Sequence, residues 1–338
     1  MATVDGRRIY RSVDIGHRNT KIIIDGEHRC HLIPSLAPLA DAHRTRVTLM
    51  RDRRTSLVYF DGKAYEVGED AELFVTAGAI LHRDYIETPE YRALFYGALE
   101  AMHASRIDLL VTGLPVHLYE TRRERLKNLL LGRHEIRPGV VIEIEEVAVT
   151  LQPRGSLLAY HHEVGAWQSQ AEKTFLVIDP GYFTFDWLVT RGLKELPGMS
   201  GSAEWAMSEY VRHIEEQLTA HLGDVHTNPA RIDEGLRLKH FRVNGQNIDL
   251  SLFQDHAETI VDRAVSALRN RVGNAQMIDQ IILTGGGAPQ FLGGLTRAFP
   301  KHPIHVLEDP IFANVRGFQI IAEFLGRRST LPAPGGRE

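Results

Sequence analysis

The most restrictive feature of this sequence is a short pattern that it carries twice. A strand-like run, Ile9 to Val13, ends in Asp14-Ile15-Gly16, passes through His17, Arg18, Asn19 and Thr20, and resumes after Lys21 as Ile22 to Ile24. Half a chain later, Phe175 to Ile178 ends in Asp179-Pro180-Gly181 and leaves as Phe183 to Val189. Each reads as a strand, a glycine-containing turn and a returning strand. Polar groups follow each Asp five and seven residues on: Asn19 and Lys21 in the first, Thr184 and Asp186 in the second. Alone, either could be any acidic hairpin. Together they predict a duplicated α/β architecture whose two lobes face one another across a cleft. The second turn gathers backbone N–H groups, the Thr184 hydroxyl and the carboxylates of Asp179 and Asp186 at the tips of buried strands. That set suits a phosphate and its divalent cation.

Composition sets limits on this reading. With 338 residues, 43% hydrophobic and 24% charged, the chain has core enough for two compact domains. No apolar run approaches the roughly 18 residues of a membrane span. The opening residues, Met1 to Arg8, hold no apolar signal region, so no membrane association is expected. The single cysteine, Cys30, allows no internal disulfide and points to a reducing cytoplasm. A net charge of −4 argues against broad non-specific binding to nucleic acid, while leaving room for a local basic patch.

Between the hairpins the pattern alternates strands and helices. Arg29 to Ile33 predicts a third strand, stopped by Pro34. Arg44, Arg46, Arg51, Arg53 and Arg54 surround Val47 to Leu49. They read either as a solvated edge kept from aggregating by charge or as a contact for an acidic neighbouring subunit or DNA. Thr55 to Val67 predicts a hairpin turning at Asp61-Gly62. Thr88 before Pro89 predicts a helix start, with Leu94, Phe95, Ala98, Leu99 and Met102 on its buried face. Ile107 to Thr112 reads as a buried strand broken at Gly113-Leu114-Pro115, and Glu120 to Leu131 as a helix closed by Gly132. Val140 to Val149 reads as a strand pair or one long strand. It delivers Gln152 to a strand end, where an amide either caps backbone or orients a water for attack on a γ-phosphate. A helix is expected from about Gly155.

In the second half, Gly198 to Ser202 predict a helix start in which Ser202 is an N-cap or the glycine-rich turn binds an anion. The helix that follows carries Met207, Val211, Ile214, Leu218 and Leu222 on one face and closes at Gly223. Arg231 to Lys239 predicts a charged helix, one of whose residues could touch a ribose. Ala257, Ile260, Val261, Ala264, Leu268 and Val272 define another amphipathic helix. Gln280 to Thr284 is a strand that empties into Gly285-Gly286-Gly287, where backbone can approach a flat or anionic ligand that any Cβ would exclude. Ala313 to Gly317 leads into a helix with Phe318, Ile321, Phe324 and Leu325 on its apolar side, and residues 328–338 read as a mobile tail.

The ordered set Asp14-x-Gly16-x-x-Asn19-x-Lys21, Gly113-Leu114-Pro115, Gln152, Asp179-x-Gly181-x-x-Thr184-x-Asp186, Gly285 to Gly287 and Ala313 to Gly317 resembles the actin-like ATPases. Those proteins share the fold of actin, DnaK-type chaperones and sugar kinases. Within them the chain looks most like the plasmid-segregation branch of ParM/StbA type, and the phrase from Asp179 to Trp187 is similar to protein D of the PRTRC plasmid system. The resemblance implies a lobe I at 1–155 completed by a C-terminal helix at 314–327, and a lobe II at 156–313. It implies ATP or ADP with Mg²⁺ as ligand. Asp14 and Asp179 would hold the hydrated Mg²⁺, and Gly16, His17, Asn19 and Lys21 would take the β- and γ-phosphates. Gly181, Tyr182 and Thr184 would close on them from the other lobe, Gln152 would position the attacking water beside Asp14 and Asp179, and Gly285, Gly286 and Gly287 would pass the adenosine. Two positions depart from the family pattern: His17 replaces a serine that touches the γ-phosphate, and Tyr182-Phe183 replace a smaller Gly-Thr pair. Both bear on hydrolysis rate.

The resemblance admits three functions. The first is a filament-forming ATPase for plasmid segregation, partnered with copies of itself and a DNA-binding adaptor. The second is a small-molecule kinase of the same fold, with Asp186 as the general base. The third is a nucleotide-gated binding module with little turnover, which the two departures motivate.

Overall fold

The computed structural model describes residues 8–25, 28–40, 54–74, 84–165, 170–223 and 228–328. The first Asp-x-Gly hairpin folds as β1 (Tyr10–Ile15) and β2 (Asn19–Ile23), and β3 (Cys30–Pro34) pairs with β2. A separate hairpin, β4 (Thr55–Phe60) and β5 (Lys63–Gly68), turns at Asp61 and Gly62. Both turn residues have positive φ, as an Asp-Gly hairpin turn requires. Then α1 (Pro89–Ala101) starts where the Thr88 hydroxyl accepts from the Tyr91 N–H. This half is completed by β6 (Arg106–Ile107), β7 (Leu109–Leu114), α2 (Val116–Leu130), β8 (Gly132–Arg137), β9 (Val140–Ile144), β10 (Val147–Leu151) and α3 (Gln152–Val164).

The second hairpin is β11 (Thr174–Pro180) with β12 (Phe185–Arg191). It is followed by β13 (Lys194–Glu195), β14 (Gly201–Ala203), α4 (Met207–Leu222), α5 (Pro229–Leu238), the small pair β15 (Arg242–Val243) and β16 (Gln246–Asn247), and α6 (Gln254–Val272). β17 (Gln280–Leu283), α7 (Ala288–Ala298), β18 (Ile304–Val306) and α8 (Ala313–Arg328) end the described chain.

The duplication is visible in the sheets. One runs β3-β2-β1-β7-β10 and the other β13-β12-β11-β17-β18, with β14 also on β12. In both, an antiparallel hairpin is flanked by an antiparallel strand on its return side and by two parallel strands on the other. The register repeats as well: Asp14 lies across the ladder from Lys21, and Asp179 across from Asp186. The spacing of seven seen in the sequence is therefore the trace of one geometry used twice.

The central strand β11 is covered on two faces, which is why Phe175 to Ile178 reads as a continuous apolar run. Along β11, Phe175 and Val177 pack with Leu157 and Tyr160 of α3, while Leu176 and Ile178 join the core made with α4 and α6. Helix α8 closes over β7 through Phe318 and Ala322 against Leu109 and Val111. Among the described residues no helix is long and apolar enough to cross a membrane.

Several sequence expectations are corrected. Helix α2 starts at Val116, not Glu120, because its first N–H groups find acceptors on the opposite lobe. For the run from Val140 the two-strand alternative holds over the single long strand: it splits at Glu145 and Glu146 into β9, which pairs with β8 and β6, and β10, which pairs with β7. Gln152 is the first residue of α3 instead of a strand end. Gly201 to Ala203 form an edge strand on β12, so Ser202 caps no part of α4. Phe324 and Leu325 are 58% and 38% exposed, and the buried face of α8 is Val315, Phe318 and Ala322. Of the predicted basic run only Arg54 is described, paired with Glu69 and Asp70. The expected tail lies outside the described residues from 329 on.

Helices α3 and α8 cross at two glycines. A Cβ on Gly317 would overlap the Gly155 carbonyl oxygen, and one on Gly155 would meet the Phe318 ring at 2.7 Å. Gly293 in α7 has only the end of the Arg297 side chain within 4 Å of an added Cβ. Gly317→Ala is expected to lower unfolding free energy by about 3 kcal/mol through overpacking. Gly293→Ala should raise it by up to about 1 kcal/mol through helix propensity. Urea denaturation of the two variants checks the pair.

Candidate functional site

The two hairpin turns face each other, and every residue that the family resemblance assigned to the ligand lines the cleft between them, whereas the Gly198 to Ser202 turn does not. Asp14, Gly16, His17, Asn19 and Lys21 come from the first turn, and Asp179, Gly181, Tyr182 and Thr184 from the second. Gln152 from the start of α3 and Gly285, Gly286 and Gly287 ahead of α7 complete the set.

Three carboxylates are buried at the centre, and each is satisfied differently. Asp14, 2% exposed, accepts from Lys21 Nζ at 3.0 Å and from Gln152 Nε2 at 2.8 Å. Asp186, its counterpart of Lys21, accepts from the Thr184 hydroxyl at 2.5 Å, from the Val116 N–H at 2.9 Å and from the Ser202 hydroxyl. Ser202 Oγ also accepts from the His117 N–H at 3.2 Å. Asp186 and Ser202 thus cap α2 from across the cleft, a favourable use of negative charge at a helix N-terminus. Asp179 accepts from Asn314 Nδ2 at 2.7 Å. Burial, and then the charges of Asp186 and Asp14, push its pKa up to about 7, against the opposing pull of Asn314 and Lys21.

This leaves an excess of negative charge that a cation would relieve. No cluster of three or more His, Cys, Asp or Glu able to hold a metal occurs among the described residues. Two carboxylates fit Mg²⁺ nonetheless, because that ion retains waters and takes phosphate oxygens in place of a full protein cage.

The glycines divide into two roles. The Gly16 N–H donates to the Asn19 carbonyl at 3.1 Å and the Gly181 N–H to the Thr184 carbonyl at 2.9 Å. Both N–H groups close their own turns, so these glycines admit a ligand by lacking a Cβ. Gly285 and Gly287 are likewise packing positions. A Cβ on Gly285 would strike Asp179 Oδ1, and one on Gly287 would lie 2.7 Å from Met207 Cγ. Gly286 is the open one, with only Ile311 side-chain atoms at 3.8 Å from an added Cβ.

At the first turn, the His17 ring stacks on Tyr85 at 4.4 Å and meets Phe183 of the opposite turn in a tilted contact at 4.6 Å. The next residue, Arg18, is buried and points to the far lobe. Its Nε donates to Asp233 at 3.2 Å, Nη2 to the Ala230 carbonyl at 3.3 Å and Nη1 to Glu72 at 2.7 Å. Tyr182 lies beside this pair, and burial pushes its phenol up to about 12. Toward the other end the cleft is lined by Leu236, Arg237, Lys239, Pro289, Gln290 and Ile311.

Asn314, Arg18, Asp233 and Tyr85 are the site residues that sequence reasoning left without a role. Asn314 lay inside the quoted Ala313 to Gly317 motif. The structure ties its Oδ1 to the Ser156 hydroxyl at 2.7 Å, so Asn314 holds Asp179 to α3. Arg18 lay in the first turn and Asp233 in the predicted charged helix, each without a role of its own, and Tyr85 meets the site from a part of the sequence that carried no signal.

Comparison with known proteins agrees with this geometry. Residues 12–155 match the family of actin like proteins, N terminal domain, and residues 177–295 match the C-terminal domain of the archaeal actin homologue, MreB-like. No curated protein matches the chain. Among solved structures, a non-polymerisable quadruple mutant of pCBH ParM is 19% identical over 94% of this chain and 100% of its own, with a TM-score of 0.77. A 15-stranded ParM filament from Clostridium botulinum gives 19% identity over 94% of this chain and 99% of the other, with a TM-score of 0.77. The archaeal actin homologue Ta0583 in complex with ADP is 16% identical over 94% and 99%, with a TM-score of 0.75. The chain has the actin-like fold and is similar to the filament-forming ParM proteins.

Asp179 makes a prediction of definite sign. Its pKa of about 7 lies above the usual carboxylate value of 3.8. The folded state therefore binds more protons than the unfolded state between those values. Stability contributed at low pH is lost as pH rises through about 7, a total of up to about 4 kcal/mol. Asp179→Asn keeps an acceptor for Asn314 and removes the titration. In urea denaturation without Mg²⁺ or nucleotide, the variant should gain on the wild type between pH 5 and 8.

Proposed function

We propose that this actin-like chain binds ATP with Mg²⁺ in the cleft, hydrolyses it, and assembles with copies of itself into filaments that segregate plasmid DNA through an adaptor protein. The observation that carries the reading is the pair of buried carboxylates, Asp14 and Asp179, on two turns of identical register facing one cleft. The ADP complex of an archaeal actin homologue and the ParM filament among the structural neighbours support it. A ParM/StbA-type protein resembling PRTRC protein D, working in the cytoplasm, is the finer form of the same proposal.

Bound Mg²⁺ would neutralise charge on the β- and γ-phosphates; Asp14 and Asp179 would hold it through its waters. Lys21 adds a fixed positive charge beside Asp14. Asp14 also fixes the Gln152 amide by accepting from Nε2. The amide oxygen is then left as the acceptor with which Gln152 would hold a water in line, a positioning task of the kind that dominates phosphoryl transfer. Asn314 keeps the Asp179 carboxylate oriented.

The kinase alternative loses its base, since Asp186 already serves Thr184, Ser202 and the start of α2. The low-turnover module keeps one supporting observation: the His17 and Phe183 rings touch across the proposed phosphate end, where the resemblance implied smaller residues. Rates separate the two surviving readings.

Sedimentation over a range of protein concentrations should show pelleting above a critical concentration with Mg-ATP and not with Mg-ADP. Phosphate release should fall about 10²-fold in Gln152→Ala, the loss expected of a misplaced reactant. Absence of any pellet, together with equal phosphate release in the variant, would reject the filament-forming ATPase.

A further inference from the structure

We propose that Arg18 is a latch that holds the two lobes shut over bound nucleotide and so sets how slowly nucleotide leaves; the proposal rests on the nucleotide-cleft reading above. Arg18 sits at the tip of the first turn, four residues after Asp14, yet its guanidinium turns away from the carboxylate centre. On one side Glu72, from its own lobe, takes Nη1. On the other, Asp233 and the Ala230 carbonyl of α5 take Nε and Nη2. The side chain is 9% exposed and those of Glu72 and Asp233 are 34% and 20% exposed, so the contact is largely shielded from solvent and only weakly screened by salt.

These bonds join protein to protein and involve no phosphate-binding group. The clasp is therefore the same for a nucleoside di- or triphosphate. Opening the cleft requires the guanidinium to leave both acceptors on α5. Losing one partner of a buried, hydrogen-bonded charge pair acts mainly on dissociation rates. The neighbouring His17–Phe183 ring contact crosses the cleft at the same tip, so two adjacent residues of one turn bridge the lobes. Glu72 is a positioning residue, holding the guanidinium at the angle that reaches α5.

The test uses the full chain and a fluorescent ADP analogue with Mg²⁺, chased by excess unlabelled ADP. Arg18→Ala and Asp233→Asn are expected to release the analogue at least ten times faster than wild type. The double exchange Arg18→Asp with Asp233→Arg should return the rate toward wild type, a rescue that a merely structural role would not give. Hydrogen exchange without nucleotide is followed in parallel over residues 16–20 and 229–238. The latch predicts that Arg18→Ala raises exchange in both segments together. If Arg18→Ala fails to fold, Arg18→Lys, which keeps charge and loses the fork, takes its place in both assays. Release and exchange at wild-type rates in the single variants would overturn the latch. If the wild type binds no analogue, the nucleotide reading fails, and the exchange data alone decide: coupled protection lost in the variant upholds a lobe latch, and unchanged exchange rejects it.

Discussion

Three carboxylates buried side by side are the constraint on which the rest of this molecule turns. Like charges at short range in a low-dielectric site cannot all stay ionised without partners. Asp14 has Lys21 and the Gln152 amide; Asp186 has the N-terminus of α2 and two hydroxyls. Asp179 has the Asn314 amide, and burial first, then the field of both neighbours, raises its pKa. That residual charge sits where the two lobes meet. The proposed ligand, a divalent cation with phosphate oxygens, would relieve it.

Duplication followed by divergence at one position explains how the lobes differ. The residue across the ladder from the turn Asp is Lys21 in one hairpin and Asp186 in the other. The lysine neutralises its partner at 3.0 Å. The aspartate cannot, and turns instead to cap α2 of the opposite lobe. One hairpin thus carries a charge-balanced Asp–Lys pair, and the other carries a second buried carboxylate and a tie between lobes. Gly155 and Gly317 bring α3 and α8 into contact behind the cleft, while Arg18 joins the lobes in front.

What the sequence revealed follows the range of the interactions involved. The hairpins, their register and the turn residues that line the cleft were legible because an Asp-x-Gly turn between apolar runs is a local signal. The interlobe ties were not. Helix α2 starts at Val116 because a carboxylate seventy residues away caps it, and no propensity near Pro115 reports that. Ser202 has the composition of a helix cap but lies in an edge strand whose partner, β12, supplies Asp186. Arg18 and Asp233 are separated by 215 residues; each alone reads as a surface charge. Phe324 and Leu325 were read onto the face of Phe318 but are exposed, while the following Gly326 packs on the Tyr10 ring of β1.

Calorimetric titration of the chain with ADP, with Mg²⁺ present and with Mg²⁺ chelated, tests the two-turn cleft most directly. One nucleotide per chain should bind with Mg²⁺, more weakly without it, and Asp14→Asn should abolish the difference between the two conditions. Binding of equal strength in all arms, or no binding with Mg²⁺ present, would contradict the assignment of the facing carboxylates to a metal–nucleotide site.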